Sequence, residues 1–150
     1  MKLILACDPK GGIGYKNKLP WDKIQGDLPR FKRLTDDCII VMGRKTWESL
    51  PVKPLPNRTN LIITSQLMTK LPYDAFTTMT IDDITDDAWM IGGAQLINSS
   101  WHKIHEVHLT KVYAEYTCDT FIDLLYLENN FVQTYNEVFP DHEYQIWKRK

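Results

Sequence analysis

The residues best suited to chemistry begin around Asp27. It follows the apolar wedge Leu19-Pro20-Trp21 and precedes Leu28, Phe31 and Lys32. A carboxylate set among apolar neighbours is suited to be the ionisable centre of a small-molecule pocket. A simpler reading is also open. Residues 27–35 read as a short helix, with Pro29 tolerated in its first turn and Asp27 as its N-cap. Leu28 and Phe31, three apart, share one face of that helix, either as pocket wall or as plain core.

A second set reads as a phosphate site. Gly43-Arg44-Lys45-Thr46 sits where a β-branched strand turns on a glycine into a helix. A helix start offers free N–H groups, Arg44 a planar fork, Lys45 a point charge and Thr46 a hydroxyl. An ordinary basic helix start fits the same letters. A Walker A loop does not, because the order is Gly-Arg-Lys-Thr and Cys38 stands where the upstream glycine is needed. The unit recurs at Ile91-Gly92-Gly93-Ala94-Gln95-Leu96. Two such units point to a dinucleotide more than either does alone. Arg58 closes a loop stiffened by Pro51, Pro54 and Pro56, and could clamp a carboxylate or lie on the surface. Thr64-Ser65-Gln66 ends a strand at the edge where open α/β sheets bind ligands. His102, His105, His108 and His142 lack metal-ligand spacing, and no metal is assigned.

The elements that must carry these groups alternate. Strands are predicted at 2–7, 38–42, 60–64, 88–91 and 105–113. Helices are predicted at 27–35, from Arg44 or Lys45, and from Ala94 to about Ser99. Lys10-Gly11-Gly12-Ile13-Gly14 is a loop able to approach a ligand closely. Residues 67–87 carry little signal, and Asp82-Asp83 and Asp86-Asp87 read as a solvated face. Two alternating runs, 131–139 and 143–148, flank Pro140-Asp141-His142 as a hairpin.

The 150 residues fit one domain spanning 1–150, with 43% hydrophobic and 25% charged residues. A net charge of −1 gives no footprint for nucleic acid. The terminal Lys148-Arg149-Lys150 reads as a solubilising tail. No apolar run approaches the ~20 residues of a membrane span, and the short run at Leu3–Cys7 is not expected to be a signal peptide. Cys7, Cys38 and Cys118 are scattered and read as reduced thiols in a cytosolic protein.

Taken in order, these residues resemble the dihydrofolate reductase family over essentially the whole chain. The match comprises the apolar run at Leu3–Ala6, Ile13-Gly14, Leu19-Pro20-Trp21, Asp27 with Phe31-Lys32, and Met42-Gly43-Arg44-Lys45-Thr46-Trp47-Glu48-Ser49. It continues through Pro54-Leu55-Pro56 with Arg58, Thr64-Ser65, Ile91-Gly92-Gly93, Leu109-Thr110 and Asp119-Thr120-Phe121. The resemblance implies a single-domain α/β fold. Its central sheet is mixed but mostly parallel, flanked by helices, with an antiparallel C-terminal hairpin. It implies NADPH-dependent reduction of 7,8-dihydrofolate to tetrahydrofolate, with antifolates as inhibitors, in a cytoplasmic monomer.

By position, the resemblance gives Asp27, Trp21, Leu19 and Thr110 the catalytic roles. Ile4, Ala6, Leu28, Phe31, Lys32, Leu50 and Arg58 would line the substrate site with Asp27 and Thr110. Ala6 and Ile13 would line the nicotinamide site, and the Gly11–Gln25 segment would be the mobile loop that closes over it, with Leu19 near the reacting centre and Asn17 helping to hold it. Gly43, Arg44, Lys45, Thr46, Thr64, Ser65, Gln66, Ile91, Gly92, Gly93, Ala94, Gln95, Leu96 and Thr120 would meet the rest of NADPH. Arg44 and Ser65 would sit where the 2′-phosphate is read; Ile97 stands where many members carry an aromatic ring, and Gln95 where some carry a second arginine, so discrimination of NADPH from NADH leans more on Arg44. A related pyrimidine reductase of the same fold, or a binding protein without turnover, would keep the scaffold. Arg58 and Phe31 argue against the first, and the intact Asp27, Trp21 and Thr110 set against the second.

Overall fold

The computed structural model describes residues 1–68 and 70–150. In chain order the elements are β1 (Lys2–Cys7), β2 (Gly12–Gly14), α1 (Asp27–Thr35), β3 (Ile39–Gly43), α2 (Arg44–Ser49), β4 (Thr59–Ile63) and β5 (Ala75–Thr78). Then come β6 (Trp89–Gly92), α3 (Ala94–Ser99), a 3-10 turn (Trp101–Lys103), β7 (Glu106–Val112), β8 (Thr120–Phe121), α4 (Leu124–Asn130), β9 (Phe131–Val138) and β10 (His142–Arg149).

The main sheet runs β5-β4-β3-β6-β1-β7-β10-β9. The pairs from β5 to β7 are parallel, and β10 is antiparallel to both β7 and β9. The expected mixed, mostly parallel sheet with a C-terminal hairpin is what forms. β2 and β8 make a separate two-stranded ribbon.

Alternation along the central strands splits the core between two faces. Leu3, Val41 and Met90 point to one, against Ile97, Trp101 and Leu127. Their chain neighbours Ile4, Ile40, Met42 and Trp89 point to the other, against Phe31, Leu34 and Leu50. Strands buried on both faces must be apolar at every step, which is why β3 is a continuous aliphatic run.

Three readings need correction. Residues 67–87 contain β5, whose side chains Phe76 and Thr77 are exposed, so no apolar pattern marked it. On β9 only Phe131 is buried, because that strand is an edge and its remaining alternation faces solvent on both sides. Arg149 is not part of a loose tail. It belongs to β10 and donates to the Ile104 and Trp101 carbonyls, with its guanidinium 4.6 Å from the Phe131 ring centre.

Because β1, β3, β4 and β6 run the same way, their carboxyl ends share one edge. Asp8, Gly43-Arg44, Thr64 and Gly92-Gly93 are therefore gathered there. The chain leaves β1 outward to β3, β4 and β5, then returns to place β6 between β3 and β1. Such a reversal opens a crevice at the strand ends, the usual ligand site of open α/β sheets.

Candidate active site

Asp27 opens α1 but does not cap it. The cap residue is Gly26, at φ +85°, and no side chain accepts a hydrogen bond there. Added bulk at Gly26 would meet nothing within 4 Å, so the glycine answers to backbone conformation and not to space. The Asp27 carboxylate instead points across to the sheet. Thr110 on β7 donates its hydroxyl to Asp27 Oδ1 at 2.7 Å. Thr110 is buried and stands opposite Ala6 of β1. Trp21 is buried too, grouped with Ile24, Val112 and Ala6, with its ring edge-on to Tyr116 at 5.6 Å.

Arg30 is the group that sequence reasoning passed over. Its guanidinium is buried, and it donates from Nη1 to Thr110 Oγ1 at 3.2 Å. Nη2 lies 3.3 Å from His142 Nε2, and the Tyr144 ring centre is 4.2 Å away. His142 Nδ1 is 2.6 Å from the Asp141 carboxylate. That ring contact is the main reason the Asp141 carboxyl sits below the usual carboxylate range. Further along the same face His108 bridges Tyr144 and Glu106, and its burial pulls its pKa down while Glu106 pushes it up. The available signal was spacing: Arg30 lies three positions after Asp27, on the same helical face.

Phe31 and Leu50 pack into one cluster with Ile4. Leu28 is 66% exposed, an apolar side chain at the helix start that remains free to meet a ligand. Lys32 is exposed beyond it. Arg58 is buried, not on the surface. Its Nε donates to the Pro56 carbonyl at 2.8 Å and its Nη1 to Thr35 Oγ1 at 3.1 Å, so the proline loop and α1 both fix it. Burial lowers its pKa, and Asp36 works against that.

The two glycine turns meet each other. A Cβ on Gly92 or Gly93 would come 3.4 Å or 3.3 Å from the Thr46 hydroxyl, and one on Gly43 would lie 3.9 Å from the Gly93 nitrogen. The Gly92–Gly93 peptide is cis. Arg44 is paired with Glu48 one helical turn on. Ser65, Gln66, Lys45 and Gln95 are exposed, Ala94 is buried, and Ile91, Leu96 and Thr64 are half-buried. Thr64 accepts from the Gln66 backbone at 3.1 Å, which shapes the turn after β4.

The loop from Gly11 to Pro20 is held at its base. Asp8, fully buried, accepts from the backbone N–H of Lys10 and Gly12, and its other oxygen accepts from Tyr116 N. Gly12 is required because a Cβ there would lie 2.3 Å from Cys118 Sγ. Further out, Asp119 accepts from Lys16 N at 3.0 Å and donates its own N–H to the Gly14 carbonyl. The Lys16 N–H, joined by the Thr120 hydroxyl, holds the Asp119 carboxyl below its ordinary range. Ile13 is half-buried, Asn17 is exposed with a left-handed backbone, and Leu19 is 62% exposed. Behind the wedge lies a hollow of about 260 Å³ lined by Trp21, Ile24, Val112, Tyr116 and Asp141. Neither Asp27 nor Arg58 borders it, so it is a separate feature from the groups above.

A family model described as dihydrofolate reductase matches residues 1–147. The chain belongs to the dihydrofolate reductase family. The type 8 dihydrofolate reductase of Escherichia coli is 36% identical over 161 residues, covering 98% of this chain and 94% of that protein. The bifunctional dihydrofolate reductase-thymidylate synthase of Paramecium tetraurelia is 35% identical, but this chain spans only 33% of its length. A solved structure of the Enterococcus faecalis dihydrofolate reductase, complexed with NADP(H) and RAB-propyl, superposes with a TM-score of 0.83 at 25% identity, covering 99% of this chain and 95% of that one. The expected reductase class, cofactor type and α/β fold therefore hold.

The crevice suits the family's cofactor on its own chemistry. Two glycine turns bring their backbone close to the Thr46 hydroxyl, and Arg44, paired with Glu48, opens α2 at the same edge. Ile97, at the position where many dihydrofolate reductases carry an aromatic ring, is fully buried in the core. Among the described residues no helix is long and apolar enough to cross a membrane.

Proposed function

We propose that this dihydrofolate reductase works through a site divided between Asp27 and the glycine-turn crevice. The carrying observation is the Thr110–Asp27 hydrogen bond, which fixes a half-buried carboxylate between α1 and β7. NADPH, when bound, would supply the hydride for C6 of dihydrofolate. Asp27 holds the pterin through its 2-amino and N3 groups and polarises the ring, so that water can deliver the proton to N5. Ile4, Ala6, Leu28, Phe31, Lys32 and Leu50 wall the pteridine and its aminobenzoyl extension. Arg58 clamps the glutamate carboxylate in bidentate fashion, for which its fixed Nε and Nη1 leave the outer edge of the fork available.

On the cofactor side, Ala6, Ile13 and Asn17 border the nicotinamide. Gly43 to Thr46 and Gly92 to Leu96, with Ile91 and Thr120, would contact the rest of the cofactor. Arg44 and Ser65 would read the 2′-phosphate, with Thr64 and Gln66 also against the cofactor. Leu19 and Trp21 exclude water from the reacting rings. Orientation of two bound rings supplies much of the rate. Antifolates would compete for the Asp27 side of the cleft. A monomer is the simplest state, and the free Cys7, Cys38 and Cys118 suit a reducing, cytoplasmic setting.

The test is a spectrophotometric assay of NADPH oxidation with and without dihydrofolate, repeated with NADH. Oxidation that requires dihydrofolate and prefers NADPH supports the reading. Oxidation indifferent to dihydrofolate sinks it.

A further inference from the structure

We propose that Arg30 is a positioning residue for the reduction, acting through Thr110 on Asp27. This rests on the role given to Asp27 above. Arg30 is only 7% exposed, and a buried cation needs partners. Its hydrogen-bond partners among the described residues are Thr110 and His142, neither of them a carboxylate, and it stacks on Tyr144 at 4.2 Å and Phe139 at 5.3 Å. The carboxylates stand one step further out on each side. Thr110 donates to Asp27 at 2.7 Å, and His142 reaches Asp141 at 2.6 Å.

The chemistry of the guanidinium sets every direction in this chain. Arginine carries only donors. Thr110 Oγ1 must therefore accept from Arg30, which leaves its single hydrogen for Asp27 Oδ1. His142 Nε2 must likewise accept, which puts the ring proton on Nδ1 facing Asp141. Without Arg30 the Thr110 hydroxyl is held by the Asp27 carboxylate alone. With it, Oδ1 of Asp27 is committed to the protein. No hydrogen bond among the described residues engages Oδ2, which leaves that oxygen available to a ligand. Arg30 sits on α1, Thr110 on β7 and His142 at the start of β10. One side chain thus ties the helix carrying the carboxylate to two strands of the sheet.

The test is a double-mutant cycle on the whole chain, combining Arg30→Met with Thr110→Val and reading kcat/KM for dihydrofolate, the NADPH dissociation constant and the melting temperature. Losing a hydrogen bond that orients a charged group is expected to lower kcat/KM roughly tenfold in Arg30→Met. NADPH affinity is expected to stay within about twofold. In the Thr110→Val background, where no hydroxyl remains to orient, the same change should cost less than about twofold. Equal losses in both backgrounds, or no loss in either, would overturn the proposal. If Arg30→Met does not fold, Arg30→Lys carries the same cycle: it keeps the buried cation but cannot fork between Thr110 and His142. The same two outcomes then decide. Asp27→Asn run alongside separates the claims, since full activity there removes the role of Asp27 itself.

Discussion

Thr110 and Asp27 lie 83 positions apart and share a 2.7 Å hydrogen bond. One belongs to a central strand and the other to the first turn of a helix. The bond therefore reports that helix α1 is seated correctly on the sheet, as well as orienting a reactive carboxylate. Its existence depends on β1 pairing with β7 in the register that sets Ala6 opposite Thr110.

Arg58 gives the first prediction. Its Nε and Nη1 are already bound to Pro56 and Thr35, so little freedom is lost when it meets a carboxylate. Arg58→Lys keeps the charge and loses the fork. Hydrogen bonds to charged groups contribute about 1.5–3 kcal/mol, so KM for dihydrofolate should rise roughly tenfold or more with little change in kcat. Steady-state kinetics with a substrate analogue lacking the glutamate should show no such rise. An equal effect on both substrates would contradict the clamp.

Glu48 gives the second. It holds Arg44 in a half-exposed ion pair of the kind that contributes up to about 1 kcal/mol. If Arg44 reads the 2′-phosphate, that pair competes with the cofactor. Glu48→Gln should tighten NADPH binding a few-fold and leave NADH unchanged, as measured by fluorescence titration.

Asp119 gives the third. Its carboxylate and backbone latch the loop at Lys16 and Gly14. Asp119→Ala should slow turnover several-fold with little change in melting temperature, because the contact is exposed. The latch also has a pH signature. The folded pKa is depressed, so the contact is fully present above the ordinary carboxylate range. It is lost only as pH falls through the lower, folded value. A loop-reporting fluorescence signal that changed near neutral pH would argue against this.

Much of the site could be read from residue order. The span of α1, the glycine turns after β3 and β6, and the hairpin all carry local signals: a proline in a first turn, a β-branched run ending at glycine, alternation. What stayed hidden was set by long-range pairing. Arg30 reads locally as a surface charge, and only the packing of α1 on β7 and β10 buries it. Asp27 reads locally as a cap, and only the sheet supplies the hydroxyl that turns it inward. Asp8 directly follows the apolar run of β1 with no local sign of a role, yet it is buried and organises the loop through three backbone N–H groups. α4 was missed because its short segment, residues 124–130, buries only Leu127 and shows no stripe.

The central claim is that Asp27 supports protonation of the bound pterin, and Asp27→Asn tests it most directly. The measurement is kcat/KM for dihydrofolate across the acid-to-neutral range. Removing a group that assists proton transfer costs about a hundredfold or more. The account predicts that loss at neutral pH, and a smaller loss at acid pH, where the substrate arrives already protonated. Activity equal to the unmodified enzyme at neutral pH, or a loss of the same size at every pH, would contradict it.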